Sequence, residues 1–420
     1  MPQLDDLLTF LDTAPSPWHV ADASVQRLLA AGFQPMPLGE VWTEAPAQGF
    51  VVRGAAVVAW HRGSDVSASS PLRIVGAHTD SPCLRIKPRP DIGGLGWKQL
   101  AVEVYGGVLL NSWLDRDLGI AGIVVLRDGS VANVCLDGPI CRVPQLAIHL
   151  DRDVNEKGLV LDKQLHLSPV WGTGTPSHGE FAAWLADQIE VEHGALAAWE
   201  LCLFDRTPAE VIGVDGSLLA SGRLDNQVSC WAAIDALCGA PPPTDATAVV
   251  ALFDHEEVGS ASTTGAAGPV LEHVLERLAS ATGASRADHL AQLAVSSCIS
   301  ADNAHAVHPN YPERHDPEHR PQVNHGPAIK LNSNQRYATS ATSAAVVQRV
   351  FERAGVPWQV FVSRNNMPCG STIGPITAAR MGIDTVDVGV PQLSMHSARE
   401  LCGVHDPLWL ATGLREFFSE

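Results

Sequence analysis

The segment TAVVALFDHEEVGS, residues 247–260, decides how this chain is read. The unbroken run Thr247–Phe253 is apolar or β-branched, as in a strand buried on both faces of a parallel sheet. It runs straight into Asp254, His255, Glu256 and Glu257. Ligands of open α/β sheets gather at the carboxyl ends of strands. The acidic tail therefore stands where chemistry is expected.

Outward from this segment, strand and helix patterns alternate. Asn226–Leu237 reads as a helix with Val228, Trp231, Ile234 and Leu237 on one side, and Leu271–Leu278 as another. Thr342–Ala354 and Ile373–Met381 read as helices stopped by Gly355 and Gly382, while Leu293–Ile299, Trp358–Val362 and Thr385–Val388 read as strands. Towards the N-terminus, the first 35 residues read as helix, and Val51–Trp60 and Leu72–Ala77 as buried strands. Such alternation indicates an α/β domain with a mainly parallel sheet flanked by helices. Residues 90–215 differ. Leu100, Val102 and Val104 alternate with polar or small neighbours, and Ile123–Leu126 and Val131–Leu136 flank an Asp128-Gly129 turn. Helix signals there are few, Phe181–Val191 among them. The most economical layout is one discontinuous catalytic domain, residues 1–89 and 216–420, interrupted by a mostly-β insertion at 90–215.

Composition narrows the function. The 420 residues carry 28 basic and 46 acidic side chains, a net charge of −18. That balance argues against a binder of phosphate backbones, so no nucleic acid is expected. No apolar run approaches the ~18 residues needed to span a bilayer, and MPQLDDLLTF lacks a basic region followed by an apolar stretch. Neither a membrane association nor a secretory signal is expected. The nine cysteines include no CxxC pair and read as buried thiols of a reducing, cytoplasmic compartment.

Other candidate ligands also follow strand patterns. His78, Thr79 and Asp80 come directly after Leu72–Ala77, Asp302 comes three residues after Leu293–Ile299, and His396 eight after Thr385–Val388. Asp225 heads the helix at Asn226. Two imidazoles with carboxylates and no cysteine suit zinc, manganese or cobalt. Five ligands exceed what one catalytic zinc takes, but they suit two ions if one carboxylate bridges, and Asp225 is the candidate bridge. In extended backbone, neighbouring side chains point oppositely, so of Glu256 and Glu257 one can bind metal while the other faces substrate as a base. Asp80 is placed to accept the second ring N–H of His78. Taken singly, each feature has a plain structural reading: a strand-end histidine, a solvated Glu pair, an N-cap at Asp225. Their recurrence at one functional edge carries the inference.

At these residues the sequence resembles the aspartyl aminopeptidase family of two-metal exopeptidases. The resemblance rests on VGAHTDSPCLRIKP from Val75, SGRLDNQ from Ser221, FDHEEVGS from Phe253 and SADNAHAVHPNYPE from Ser300. IKLNSNQRYATS from Ile329, MPCGSTIGP from Met367 and SMHSARE from Ser394 complete it, in order, over nearly the whole chain. The resemblance implies a phosphorylase/hydrolase-like metallopeptidase domain. It implies two divalent ions per subunit, of which zinc is favoured and manganese or cobalt suit. His78, Asp225 and Asp302 would hold one; Asp225, Glu257 and His396 the other; Glu256 would be the general base. His305, Lys330 and Tyr337 would surround the substrate, and His149 would reach the site of a neighbouring subunit. It further implies dimers assembled into dodecamers, with the β insertion helping assembly.

The implied activity is release of N-terminal Asp or Glu from peptides. An anionic substrate and a protein of charge −18 are compatible if local charge dominates, and Lys330, one of five lysines, supplies a cation in the partly buried setting Ala328–Leu331. Gly370-Ser371-Thr372, just before Ile373, offers either further anion donors or a plain N-cap. A carboxypeptidase or N-deacylase on the same two-metal scaffold is the nearest rival, with Arg336 or Arg364 as carboxylate donors. An inactive metal-stabilised assembly protein is a more distant one. The extended NQRYATS and DNAHAVHPNY blocks and the paired Glu256-Glu257 favour the aminopeptidase.

Overall fold

A computed structural model describes residues 2–419. A nine-stranded sheet forms its centre, in the order Gln34–Pro35, Gln48–Arg53, Ala56–Arg62, Thr247–Phe253, Leu72–His78, Ser297–Ala301, Asp384–Gly389, Ala328–Leu331, Gln359–Val362. Its four middle strands are parallel. Antiparallel pairs flank them: Ala56–Arg62 against Thr247–Phe253 on one side, and Ala328–Leu331 against Asp384–Gly389 on the other.

The continuous apolar run of Thr247–Phe253 has a direct cause. Val250 and Leu252 face one hydrophobic core, while Val249, Ala251 and Phe253 face a second across the sheet. The first core is closed by helices Pro2–Thr13, Pro17–Ala30, Leu224–Gly239, Ala341–Arg353 and Asp406–Ser419. The second is closed chiefly by Val270–Ala281 and Ile373–Met381. Neither face of the strand meets water, so no polar alternation is needed.

A separate six-stranded antiparallel sheet has the order Val131–Cys141, Leu118–Leu126, Leu196–Asp205, Cys83–Gly94, Trp97–Tyr105, Val170–Thr173. It packs Leu84, Leu100, Ile120 and Leu201 against helix Glu180–Gln188 through Phe181 and Leu185. The sequence boundary at residue 90 falls inside its strand Cys83–Gly94. A five-stranded sheet containing Pro391–Leu393 and Glu400–Gly403 completes the architecture. Among the described residues, no helix is long and apolar enough to cross a membrane.

Three local expectations change. The N-terminal stretch forms two helices, Pro2–Thr13 and Pro17–Ala30, the second restarted with Pro17 in its first turn, and Gln34–Pro35 is already a strand. Val51–Trp60 is a hairpin rather than one strand, because the chain reverses at Gly54 with φ 58°. Leu293 lies in the last turn of a helix, Arg286–Ala294, and the strand begins at Ser297. That helix starts with a capping box in which Ser285 and Asp288 exchange hydrogen bonds with each other's backbone N–H groups.

One contact between helix and sheet is demanding. A Cβ on Gly374, in the first turn of Ile373–Met381, would lie 2.4 Å from Oδ2 of Asp387. Gly374→Ala is expected to lower stability by about 1–3 kcal/mol through this overlap. An unchanged denaturation midpoint would show that the helix slides freely over Asp387.

Candidate metal centre

The carboxyl ends of the middle strands converge. Phe253 pairs with His78, the last residue of its own strand, so the turn Asp254–Glu257 emerges beside that imidazole. Asp302 follows Ser297–Ala301 directly. Asp225 opens the helix Leu224–Gly239, and the Asp225–Asn226 peptide is cis. His396 comes from the loop joining two strands of the five-stranded sheet.

Ligand atoms of His78, Asp225 and Asp302 lie within 4.8 Å of one another, as do those of Asp225, Glu257 and His396. Asp225 belongs to both groups. Its Oδ1 is 3.6 Å from Nε2 of His78, and its Oδ2 is 3.5 Å from Nε2 of His396. Glu257 Oε1 is 3.3 Å from the same His396 nitrogen. Glu256 joins His78 and Glu257 in a third overlapping group. Asp225 Oδ1 and Glu257 Oε1 are buried without a hydrogen-bond partner. Buried orphan carboxylate oxygens are costly, and here they face imidazole nitrogens in a set that suits divalent zinc. The residues fit metal.

The far ring nitrogens are engaged. Nδ1 of His396 donates to the carbonyl of Gly107 at 3.0 Å. Nδ1 of His78 donates to the backbone carbonyl of Asp80 at 3.0 Å, while the Asp80 carboxylate stands 3.5 Å away. That carboxylate also accepts the backbone N–H groups of Glu256 and Glu257, both at 3.1 Å, and the Tyr105 hydroxyl at 2.7 Å. Glu400, part of the SMHSARE block but given no role from sequence, is fully enclosed. It accepts the N–H of His396 at 2.7 Å and that of Asp225 at 3.0 Å, holding both from behind. Its spacing, four residues after His396, was the available signal.

Burial opposes charge on Asp225, but the imidazoles of His396 and His78 outweigh it and hold its carboxyl well below the usual range. Burial likewise opposes charge on His396, yet Asp225 and Glu257 raise it to about 11. Burial pushes Glu256 up to about 8, reinforced against His78 by the charges of Asp302, Glu257 and Asp225. Burial, with Asp225 adding to it, takes Glu257 to about 7. Asp302 rises to about 6 by burial, which Lys330 opposes. A crowd of carboxylates that resist ionisation is what a divalent cation relieves.

The substrate candidates divide. Lys330 is 2% exposed; its ammonium donates to the carbonyl of Asn303 at 3.2 Å, lies 3.8 Å from Asp302 Oδ1 and sits 4.9 Å from the Tyr337 ring centre. His305 and Tyr337 both pack edge-on against Phe361. Lys330 thus stands beside Asp302, Tyr337 lies against Lys330, and Phe361 joins His305 to Tyr337. His149 is exposed on a turn and belongs to none of the clustered ligand groups. Thr372 caps its helix, accepting from Gly374 N–H at 3.3 Å and donating to Asp387 at 2.5 Å, and Ser371 donates to the carbonyl of Arg336. The hydroxyls of that turn are committed within the protein.

Known proteins share this arrangement of fold and sequence. Residues 10–418 match the family model described as aminopeptidase I zinc metalloprotease (M18). A probable M18 family aminopeptidase 2 of Streptomyces coelicolor is 52% identical over 421 residues, covering 99% of this chain and 97% of that protein. A chain of the Ape4 and Nbr1 complex superposes with a TM-score of 0.95 at 34% identity, covering 99% of this chain and 85% of that one. The mApe1 dodecamer of S. cerevisiae gives a TM-score of 0.85 at 27% identity, covering 99% and 96%.

A pH dependence follows. Glu256 and Glu257, raised to about 8 and 7, stabilise the fold when protonated and lose that contribution as pH rises through those values. His396, raised to about 11, contributes fully below the ordinary imidazole value of about 6.5 and progressively less above it. All act in one direction, so the chelated protein weakens from pH 6 to about pH 8.5. Divalent metal binds deprotonated ligands and does the opposite. The melting-temperature gap between metal-loaded and chelated protein is expected to widen over that range; a flat or narrowing gap would contradict these environments.

Proposed function

Because the chain belongs to the M18 family of zinc metalloaminopeptidases, we propose that it releases acidic residues, Asp or Glu, from the N-termini of peptides. In this reading His78, Asp225 and Asp302 hold one divalent ion, and Asp225, Glu257 and His396 hold a second. The observation that carries it is the sharing of one buried carboxylate, Asp225, between two ligand triads.

Bound there, the ions supply Lewis acidity, lowering the pKa of coordinated water and polarising a carbonyl. The rest falls to the chain. Glu256 is the general base: it stands beside the ligands without belonging to either triad, and cations held next to it would offset the burial that raises its carboxyl, leaving it ionised and able to accept a proton. A carboxyl of that kind takes a proton from water, holds it in the buried site and delivers it to the leaving amine. Glu400 and Asp80 keep the ligands still.

Lys330 supports the acidic preference. Its ammonium is buried beside Asp302, and a carboxylate that shares its charge with a metal leaves that ammonium short of a counter-charge. A substrate side-chain carboxylate supplies one. His305 and Tyr337 border the same space. The six-stranded sheet is read as the insertion that mediates dimers and, through them, a dodecamer, and His149 as reaching the site of a neighbouring subunit. Support comes from its surroundings, where Leu146, Ile148 and Leu150 are exposed apolar side chains on one short segment. The free state of all nine cysteines supports a cytoplasmic setting.

Two substitutions test the assignment. Glu256→Gln is expected to keep its metal and lose about 10²–10⁴-fold in turnover; near-normal turnover would assign the base elsewhere. Lys330→Met is expected to lower kcat/KM for N-terminal Asp peptides by about 10²-fold and to spare N-terminal Ala peptides. Equal losses on both substrates would remove Lys330 from the specificity pocket.

A further inference from the structure

Resting on the two-metal reading above, we propose that Tyr105, Gly106 and Gly107 form a clamp by which the six-stranded sheet positions the catalytic turn Asp254–Glu257 and His396. Tyr105 is its positioning residue.

The three residues meet three different parts of the centre. The Tyr105 hydroxyl donates to Oδ2 of Asp80 at 2.7 Å, and the same oxygen accepts Glu257 N–H at 3.1 Å while Oδ1 accepts Glu256 N–H at 3.1 Å. An ionised carboxylate accepts only, so the phenol is the donor, and Asp80 becomes a hub joining the phenol to the turn that bears base and ligand. Gly106 has φ 75°, and a Cβ there would stand 3.1 Å from the Cβ of Glu257. The carbonyl of Gly107 accepts the Nδ1–H of His396 at 3.0 Å, which leaves Nε2 turned towards Asp225 and Glu257.

The clamp is fixed from its own side. Tyr105 ends the strand Trp97–Tyr105 and pairs with Cys83 in the ladder. The guanidinium of Arg85 lies 3.8 Å from the centre of its ring, a cation–π contact that immobilises the ring. Tyr105 is only 8% exposed. Simple packing between two sheets requires the ring and not the hydroxyl, whereas the clamp requires the hydroxyl. Tyr105→Phe separates the two, because it keeps the ring and its contact with Arg85.

Hydrogen–deuterium exchange of peptides covering 254–259, read alongside steady-state kinetics and metal content, tests this. In Tyr105→Phe the exchange at Glu256 and Glu257 is expected to rise about tenfold. kcat is expected to fall about tenfold or more, with KM and bound zinc unchanged. Unchanged exchange would overturn the clamp, as would a kcat loss that merely follows loss of metal. If exchange rises while the unsubstituted protein cleaves no acidic N-terminal peptide, the clamp stands and the substrate reading falls.

Discussion

The buried carboxylate of Asp225, with an imidazole facing each oxygen, is the constraint on which the rest of the site depends. Alone, such a group is expensive. It is almost fully buried, and one oxygen lacks a hydrogen-bond partner within the protein. The surrounding architecture holds it in place. Glu400 holds its backbone N–H, Ser81 donates to its carbonyl at 2.6 Å, and the helix behind it is buried over nearly its whole length.

Three sheets meet around that carboxylate. The nine-stranded sheet delivers His78, the Asp254–Glu257 turn and Asp302 at adjacent strand ends, spaced by the regular separation of parallel strands. The five-stranded sheet delivers His396 and its anchor Glu400. The six-stranded sheet touches both sets through Tyr105–Gly107. Precision comes from rigid elements meeting at one point, with loops between them confined by backbone hydrogen bonds.

Much of this was legible in the sequence, and the reason is physical. A strand buried on both faces announces itself by an unbroken apolar run, and a polar cluster at its end then stands out. That is why His78, Asp225, Glu256, Glu257, Asp302 and His396 could be chosen without coordinates, with Asp225 as the bridge. The division into two triads, and of base from ligand between Glu256 and Glu257, came from the family resemblance. Tyr105, Gly106, Gly107 and Glu400 were missed because their roles arise only when separate sheets meet. Nothing in the pattern around Tyr105 distinguishes a hydroxyl that reaches Asp80 from one that faces solvent. The turn at Gly54 was hidden for a simpler reason: apolar strands on both sides of it read as one. Lys330 was singled out by the resemblance and by its scarcity, and its apolar neighbours pointed to burial, but its place beside Asp302 emerges only when separate strands meet.

The central claim is that one carboxylate serves two ions. Anomalous diffraction at the zinc edge from crystals of zinc-loaded protein tests it directly. The account predicts two peaks, one among His78, Asp225 and Asp302 and the other among Asp225, Glu257 and His396. A single peak, or two peaks of which only one contacts Asp225, would contradict it.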